Sequence, residues 1–405
     1  MAGEHGGRPG DRSRGVSRRE FIKLATLTSL LGGCRPVQPS SAVAPPSFTA
    51  LSPLEPLSDA ASNAATTCWP TQGWKTSTPE GQGMDPEPLN RMLEHLREEG
   101  LGIHSVLIVR HGHVVTEKYF GPFEDSRRPI YSCTKSFTSA LVGIAIEEGY
   151  LGIDQPVLDF FSERTLVNND SRKQAITVEH LLTMSSGLDW PEWAVPYTSS
   201  ANASVQMRQG KDWVKFVLDR PVREPPGSRF NYNSGGSHLL SAILQKATGV
   251  SAAAFARERL FEPLGISDLS WQPDPCDIIW GSSGIRMRPR DMARFGYLYL
   301  KGGDWEGQQV VPAGWVKAST VSHIEAGFGP GYGYQWWIDP EGIHYSARGR
   351  GGQRIFVIPD RDMVVVFTGS LGYLEMETLP ESLVDSFVLR AVARPVHSRT
   401  HEEEI

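Results

Sequence analysis

The sequence has no excess of basic charge, no long apolar run and few cysteines. Its 405 residues carry 40 Lys and Arg against 46 Asp and Glu, a formal net charge of −6, which excludes the electrostatic signature of a nucleic-acid partner. No apolar run reaches the length of a membrane-spanning helix. Among the four cysteines, Cys68 and Cys276 could pair in an oxidising compartment, but the sequence does not decide it.

Two further patterns are absent. There is no G-x-S-x-G elbow, which argues against an α/β-hydrolase, and there is no internal repeat. His111 and His113 share a tight turn, but no third ligand lies nearby in sequence, so we expect a plain hairpin and no metal site. The length fits one large domain with an inserted subdomain, or two domains.

The N-terminus reads as an export signal. Ser17–Lys23 (Ser-Arg-Arg-Glu-Phe-Ile-Lys) resembles a twin-arginine motif, and the short apolar stretch after it ends in Leu31-Gly32-Gly33-Cys34, which resembles a lipoprotein cleavage box. We therefore predict a signal peptide over residues 1–33, use of the twin-arginine (Tat) export machinery, a lipid on Cys34 that anchors the protein to a membrane, and a periplasmic or cell-envelope location. The alternative is an arginine-containing leader followed by a chance cysteine.

The rest of the chain divides by composition. Residues 34–68 are rich in Pro, Ser and Ala and are predicted to be a tether. Residues 69–395 are predicted to form the folded domain, with a helical subdomain at about residues 150–270. Residues 396–405 are a polar tail.

Periodicity within the domain predicts an α+β fold, with an antiparallel sheet flanked by helices and a second, helical subdomain. β-type runs lie near both ends of the domain and enclose a mostly helical middle. The predicted strands are Ser105–Arg110, Val114–Tyr119, Phe356–Ile358 and Met363–Phe367. The predicted helices are Asp85–Glu99, Val178–Met184, Trp213–Leu218, Leu239–Ala247, Ala252–Leu260, Asp291–Leu300 and Pro380–Ala393.

Ser132-Cys133-Thr134-Lys135 is the only S-x-x-K in the chain, and an apolar helical run follows it. A serine at the start of a helix lies among free N–H groups that favour a developing negative charge. Lys135 falls on the same helix face and can activate the hydroxyl. Taken alone, the motif also fits a helix cap with a solvated lysine.

Tyr232 lies on a loop between a Pro-Gly turn and a helix, where it can be held rigidly in a cleft. A neighbouring ammonium favours the phenolate, so Tyr232 could take the serine proton. The alternative is a half-buried structural tyrosine.

Arg350-Gly351-Gly352-Gln353 precedes the last predicted hairpin. Glycines there let a substrate approach the backbone closely, and an N–H of this segment could complete an oxyanion hole with the N–H of Ser132. The alternative is a flexible entrance to the hairpin.

The order S-x-x-K, Y-x-S, R-G-G resembles the β-lactamase-related serine hydrolases, which include class C β-lactamases, D-alanyl-D-alanine peptidases and β-lactamase-like esterases. Connecting segments resemble the family too, among them His180–Leu188 and Phe261–Ile266. The Y-x-S form resembles the branch of 6-aminohexanoate-dimer hydrolases. Two departures, Ser234 for Asn and Arg350 for Lys or His, put efficient β-lactam turnover in doubt.

The resemblance implies a β-lactamase/transpeptidase-like fold and a serine hydrolase acting on a small-molecule ester or amide, with no metal or organic cofactor. Ser132 would be the nucleophile, and Lys135 and Tyr232 would share the proton transfers, with the identity of the base left open. Ser234 would relay a hydrogen bond, Arg350 would hold a substrate carboxylate, and Gly352 and the N–H of Gln353 would line the site. The alternatives are a cell-wall peptidase or weak β-lactamase, and a non-catalytic envelope protein on the same fold.

Overall fold

The computed structural model describes residues 69–327, 329–372 and 375–392. The predicted signal peptide, Cys34, Cys68, the tether and the polar tail lie outside the described residues. Among the described residues no single helix is long and apolar enough to cross a membrane. One bent pair of helices, Ser234–Thr248 with Ala252–Phe261, is long and apolar enough when taken together, a result that rests on length and composition only.

A nine-stranded sheet forms the centre of the domain, in the order β1-β3-β2-β14-β13-β12-β11-β10-β9. Every neighbouring pair is antiparallel except β1 and β3. Its strands are β1 (Lys75–Thr76), β2 (Ile103–Arg110), β3 (His113–Tyr119), β9 (Ile324–Glu325), β10 (Gly331–Tyr332), β11 (Trp337–Ile338), β12 (Tyr345–Gly349), β13 (Gln353–Ile358) and β14 (Met363–Gly369). Two small sheets contain β4 (Arg128–Pro129), β5 (Ser270–Trp271) and β6 (Ile285–Met287), and β7 (Asp304–Trp305) and β8 (Gln308–Gln309).

The helices have the following bounds: α1 (Pro86–Glu99), α2 (Thr134–Glu147), α3 (Ser171–Gln174), α4 (Val178–Leu182), α5 (Ala203–Gln209), α6 (Trp213–Leu218), α7 (Ser234–Thr248), α8 (Ala252–Ala256), α9 (Pro289–Leu300), α10 (Ala313–Ser319) and α11 (Glu375–Leu383). Isolated bridges aside, the regular elements between residues 150 and 268 are helical, as predicted.

Strand β14 is apolar from Met363 to Phe367 because both of its faces are covered. Val364 and Val366 point into the larger core, which includes α9, whereas Val365 and Phe367 point into the core beside α1 and the C-terminal helix. Side chains alternate between the faces of a strand, so a run of consecutive apolar residues marks a strand that is buried on both sides. The α+β architecture predicted from the sequence is confirmed.

The C-terminal helix differs from its prediction. It begins at Glu375 instead of Pro380, so Pro380 lies inside it. Proline has no N–H for the carbonyl four residues earlier, which usually confines it to the first turn of a helix. Here that carbonyl, of Met376, accepts a hydrogen bond from the buried Arg354 guanidinium, which compensates for the missing donor.

Candidate active site

The predicted nucleophile lies one turn earlier than expected. Ser132 belongs to the 3₁₀ turn Tyr131–Cys133, and helix α2 begins only at Thr134. Tyr131 has φ +48°, a left-handed conformation that costs about 1–3 kcal/mol for a residue with a side chain and that clusters at functional sites. The turn leaves Ser132 partly exposed while Cys133 is fully buried.

The third motif packs directly against this turn. A Cβ atom on Gly349, at the end of β12, would lie 2.3 Å from the carbonyl oxygen of Ile130 and 3.2 Å from Sγ of Cys133. Only glycine lets the strand come this close. The Cys133 thiol also lies 3.5 Å from the carbonyl oxygen of Gln353 on β13. The nucleophile is therefore held at the junction between the large sheet and the helical subdomain, as predicted.

Lys135 is buried at the centre of the site. Its Nζ lies 3.1 Å from each of three oxygens: Oγ of Ser132, Oγ of Ser234 and the carbonyl oxygen of Ser282. Burial lowers the pKa of Lys135 from 10.5 to about 8, and the Glu192 carboxylate partly opposes this fall. At that value about a tenth of the lysine is uncharged at pH 7.

The protons around Lys135 can be assigned from its partners. The hydroxyl of Ser234 donates to Oε1 of Glu192 at 2.6 Å, so toward Lys135 it can only accept. The carbonyl of Ser282 also can only accept. An uncharged amine has two N–H bonds and one lone pair, and these two acceptors use both N–H bonds. The lone pair is left facing Ser132.

Tyr232 completes the constellation. Its side chain is buried, and Nζ of Lys135 lies 4.8 Å from the centre of its ring. Trp193 and Trp337 pack on the same ring, with centroids 5.1 Å and 6.2 Å away. The structure thus brings together all three residues predicted to be catalytic.

Glu192 is the functional residue that sequence reasoning missed. Besides the Ser234 hydroxyl, it accepts hydrogen bonds from the Ser234 backbone N–H, the Trp190 indole and the Tyr197 hydroxyl, at 2.6–2.8 Å. Ser234 is the first residue of α7, capped by Asn233, so the buried carboxylate sits at a helix N-terminus. That position and four donors stabilise the charge.

Gln335 is a second missed residue. It is buried with φ +63°, in the aromatic run Tyr334–Trp337. Ser136 on α2 donates to its carbonyl at 2.8 Å, Ser237 on α7 donates to its side chain at 2.7 Å, and its amide donates to the Leu182 carbonyl at 2.8 Å. Gln335 therefore links the helix that carries Lys135 to the helix that carries Ser234.

The predicted substrate-binding residues divide into two groups. Ser234 and Arg350 line the cavity beside Ser132, whereas Gly352 and Gln353 do not. A Cβ on Gly352 (φ +83°) would meet Leu371 at 2.5 Å, and the Gln353 amide donates to the carbonyls of Arg350 and Gly369 at 3.0 and 2.7 Å. The side chain of Gln353 therefore holds the hairpin together, and the role of its backbone N–H as the second oxyanion donor stays a prediction.

The cavity has a volume of about 310 Å³. Ser132 and Ser234 open onto it, Trp280 forms part of its wall, and three arginines surround it: Arg208, Arg286 and Arg350. A volume of this order suits a small organic molecule. Cys276 is exposed and its thiol lies 3.3 Å from the Lys211 carbonyl; its pairing with Cys68 stays an open prediction.

Comparison with known proteins agrees with this geometry. The Beta-lactamase family model matches residues 89–380. The chain is 27% identical over 280 residues to the 6-aminohexanoate-dimer hydrolase of Paenarthrobacter ureafaciens, covering 64% of this chain and 70% of that protein. It is 28% identical over 190 residues to Esterase EstB of Burkholderia gladioli, covering 43% of this chain and 48% of that one.

A solved structure supports the fold. A Bacillus anthracis protein, described as a candidate 6-aminohexanoate-dimer hydrolase, superposes with a TM-score of 0.67 at 23% identity, covering 81% of this chain and 91% of the other. The family match spans Ser132, Lys135 and Tyr232; Lys135 lies between the Ser132 hydroxyl and the Tyr232 ring, and Ser132 opens onto the cavity. The chain belongs to the beta-lactamase family and is a serine hydrolase.

Proposed function

We propose that the protein cleaves ester or linear amide bonds through an acyl-enzyme on Ser132. The observation that carries the proposal is the arrangement around Lys135, in which two fixed acceptors occupy its N–H bonds and its lone pair faces the Ser132 hydroxyl. Lys135 is therefore the base that takes the serine proton.

Each step of the reaction balances with the residues present. As Oγ of Ser132 forms a bond to the substrate carbonyl carbon, its proton moves to Lys135, and the carbonyl oxygen becomes an oxyanion held by the N–H groups of Ser132 and Gln353. The tetrahedral intermediate then expels the alcohol or amine, which takes a proton from Lys135, directly or through Tyr232. Water attacks the acyl carbon while Lys135 or Tyr232 accepts its proton; the bond to Oγ of Ser132 then breaks, the carboxylic acid leaves, and Oγ takes that proton back.

Two relatives support this range of substrates. One is named for hydrolysis of an amide dimer and the other as an esterase. The proposed reaction, hydrolysis of esters and linear amides, is narrower than the range of reactions in the family. The class of substrate depends on the residues that line the cavity beyond Ser132.

Kinetics of p-nitrophenyl butyrate hydrolysis test the proposal. Ser132→Ala should abolish the reaction, and Lys135→Ala and Tyr232→Phe should each lower kcat by about 10²–10⁴-fold, the usual contribution of one acid–base group. In the wild type, kcat/KM should rise with pH through a midpoint of about 8, because the base must be uncharged. Hydrolysis at the wild-type rate by Ser132→Ala would show a different nucleophile.

We further propose that the protein acts outside the cytoplasm, anchored through Cys34. The support is the sequence of residues 17–34 alone, which lie outside the described residues. Replacing Arg18 and Arg19 by lysine should leave precursor in the cytoplasm if the twin-arginine machinery exports it. The intact mass of the membrane fraction should show diacylglycerol on Cys34; an unmodified chain cut elsewhere would contradict the anchor.

A further inference from the structure

The wall of the active-site cavity carries three arginines: Arg208, Arg286 and Arg350. All three side chains are exposed, and none has a carboxylate within ion-pairing distance in the part of the chain that the structure describes. Surface arginines of this protein commonly do have such partners, for example Arg288 with Asp268 at 2.7 Å. Three arginines without acidic partners around one cavity therefore require an explanation.

The acidic residue in the cavity wall cannot neutralise them. Glu192 faces the cavity, but its two oxygens already accept four hydrogen bonds, from Trp190, Tyr197 and Ser234. Its charge is directed at the α7 N-terminus and at Lys135. The cavity is thus cationic in a chain whose formal net charge is −6.

Two of the arginines, Arg208 and Arg350, stack on aromatic rings, which leaves their hydrogen-bonding edges available. Arg350 lies over the ring of Tyr197 at 5.8 Å, and Arg208 lies over Trp280 at 5.9 Å. Arg208 uses one N–H on the carbonyl of Ser204, at 3.2 Å. A stacked guanidinium keeps a planar fork of donors that matches a carboxylate.

Local structure explains how the arginines reach the same cavity. Arg286 lies on β6 and pairs with Pro129 of β4, the strand that leads into the nucleophile turn. Arg350 directly follows β12, which packs on that turn, and Arg208 is near the end of α5. They come from three separate segments, so no single sequence motif contains them.

We propose that Arg208 and Arg286 form a subsite for a carboxylate located on the substrate away from the scissile bond, with Arg350 adding a third positive charge. The inference rests on the proposed function and narrows it: the substrates are half-esters or half-amides of dicarboxylic acids, or esters and amides whose leaving group carries a carboxylate.

Matched pairs of substrates test the subsite. Mono-p-nitrophenyl glutarate carries the carboxylate on the acyl side, and p-nitrophenyl pentanoate is its neutral counterpart. 4-Acetoxybenzoate and its methyl ester make the same comparison on the leaving-group side. We expect the wild type to favour the anionic member of at least one pair by about tenfold or more in kcat/KM, the effect of a hydrogen bond to a charged group.

Substitutions then assign the preference to the arginines. Arg208→Gln and Arg286→Gln should each lower the ratio of anionic to neutral kcat/KM by about three- to tenfold. Arg286→Lys should keep part of the preference because it keeps the charge, and Arg286→Glu should lower the ratio further. The control is Arg91→Gln, an arginine on α1 whose side chain is 62% exposed and lies outside the cavity; it should leave both rates unchanged.

The outcomes separate this inference from the proposed function. Ratios near one in both pairs, or substitutions that change the ratio no more than Arg91→Gln, overturn the subsite while leaving ester hydrolysis intact. Rates unaffected by Ser132→Ala overturn the proposed function instead. Calorimetric binding of free glutarate to Ser132→Ala tests the subsite without turnover: binding should weaken about tenfold or more in the Arg208→Gln/Arg286→Gln double variant, and unchanged binding contradicts it.

Discussion

Oε1 of Glu192 lies 2.6 Å from Oγ of Ser234, and this contact determines the direction of every hydrogen bond around the catalytic lysine. Because the Ser234 proton goes to Glu192, the Ser234 oxygen accepts from Lys135, and the lone pair of the uncharged lysine is directed at Ser132. In the proposed mechanism, a carboxylate with no contact to the nucleophile thereby makes Lys135 the base. Glu192 is a positioning residue in this account.

Replacing Glu192 by glutamine should change the pH dependence of the reaction. The carboxylate raises the pKa of Lys135, so its removal should lower that pKa, and the acidic limb of kcat/KM should move below its wild-type midpoint of about 8. The NH₂ group of the glutamine would also face hydrogen-bond donors that the carboxylate accepts from, and this mismatch should lower kcat. A pH–rate profile of the variant checks this; a limb that stays in place or moves to higher pH contradicts the electrostatic role.

Gln335→Ala should separate the two catalytic helices. The alanine leaves the hydroxyl of Ser237 without its acceptor, it removes the side-chain amide that donates to the carbonyls of Leu181 and Leu182, and it keeps the unfavourable φ of +63°. We expect a loss of about 2–4 kcal/mol in the free energy of unfolding and a lower kcat. Denaturant unfolding and ester kinetics measure both. A variant as stable as the wild type would show that the link is dispensable.

Gly349→Ala should damage the site by steric contact alone. The added methyl group would lie 2.3 Å from the Ile130 carbonyl, so the nucleophile turn or β12 must move. We expect about 1–3 kcal/mol of destabilisation and a large loss of kcat. The matched control is Gly314→Ala on α10, where nothing lies within 4 Å of the new atom. Equal activity of the two variants would contradict the close packing.

Nitrocefin should be a poor substrate. Ser234 replaces the asparagine whose amide could hold the acylamino side chain of a β-lactam, and its hydroxyl is committed to Glu192 and Lys135. We expect kcat/KM for a p-nitrophenyl ester to exceed that for nitrocefin on the same preparation. A nitrocefin value higher by an order of magnitude or more would favour the β-lactamase alternative.

The sequence predicted the catalytic residues better than their surroundings. Ser132 and Lys135 are three residues apart, in a 3₁₀ turn and the first turn of the α-helix that follows it, so local periodicity alone places them together. Placing Tyr232 and Ser234 in the same site required the family resemblance, because these residues are about 100 residues further along the chain. Glu192 could not be predicted, since its partner Ser234 is 42 residues away and only the tertiary fold joins them.

The errors also have physical causes. A glycine-rich segment predicts backbone freedom but not direction: a Cβ on Gly352 would meet Leu371, and the role of Gly352 in substrate binding stays a prediction. Pro380 was expected to begin a helix, because the role of Arg354 in satisfying the free carbonyl is invisible in sequence. Local rules fail where a distant side chain supplies the missing hydrogen bond.

Covalent labelling tests the central claim most directly. The protein is incubated with a fluorophosphonate at several pH values, digested, and the modified residue is mapped by mass spectrometry. We predict a single adduct on Ser132, a labelling rate that rises with pH toward about 8 as Lys135 loses its proton, and no adduct in Ser132→Ala. An adduct on another residue, or Ser132 labelling that is equally fast in Lys135→Ala, would contradict the account.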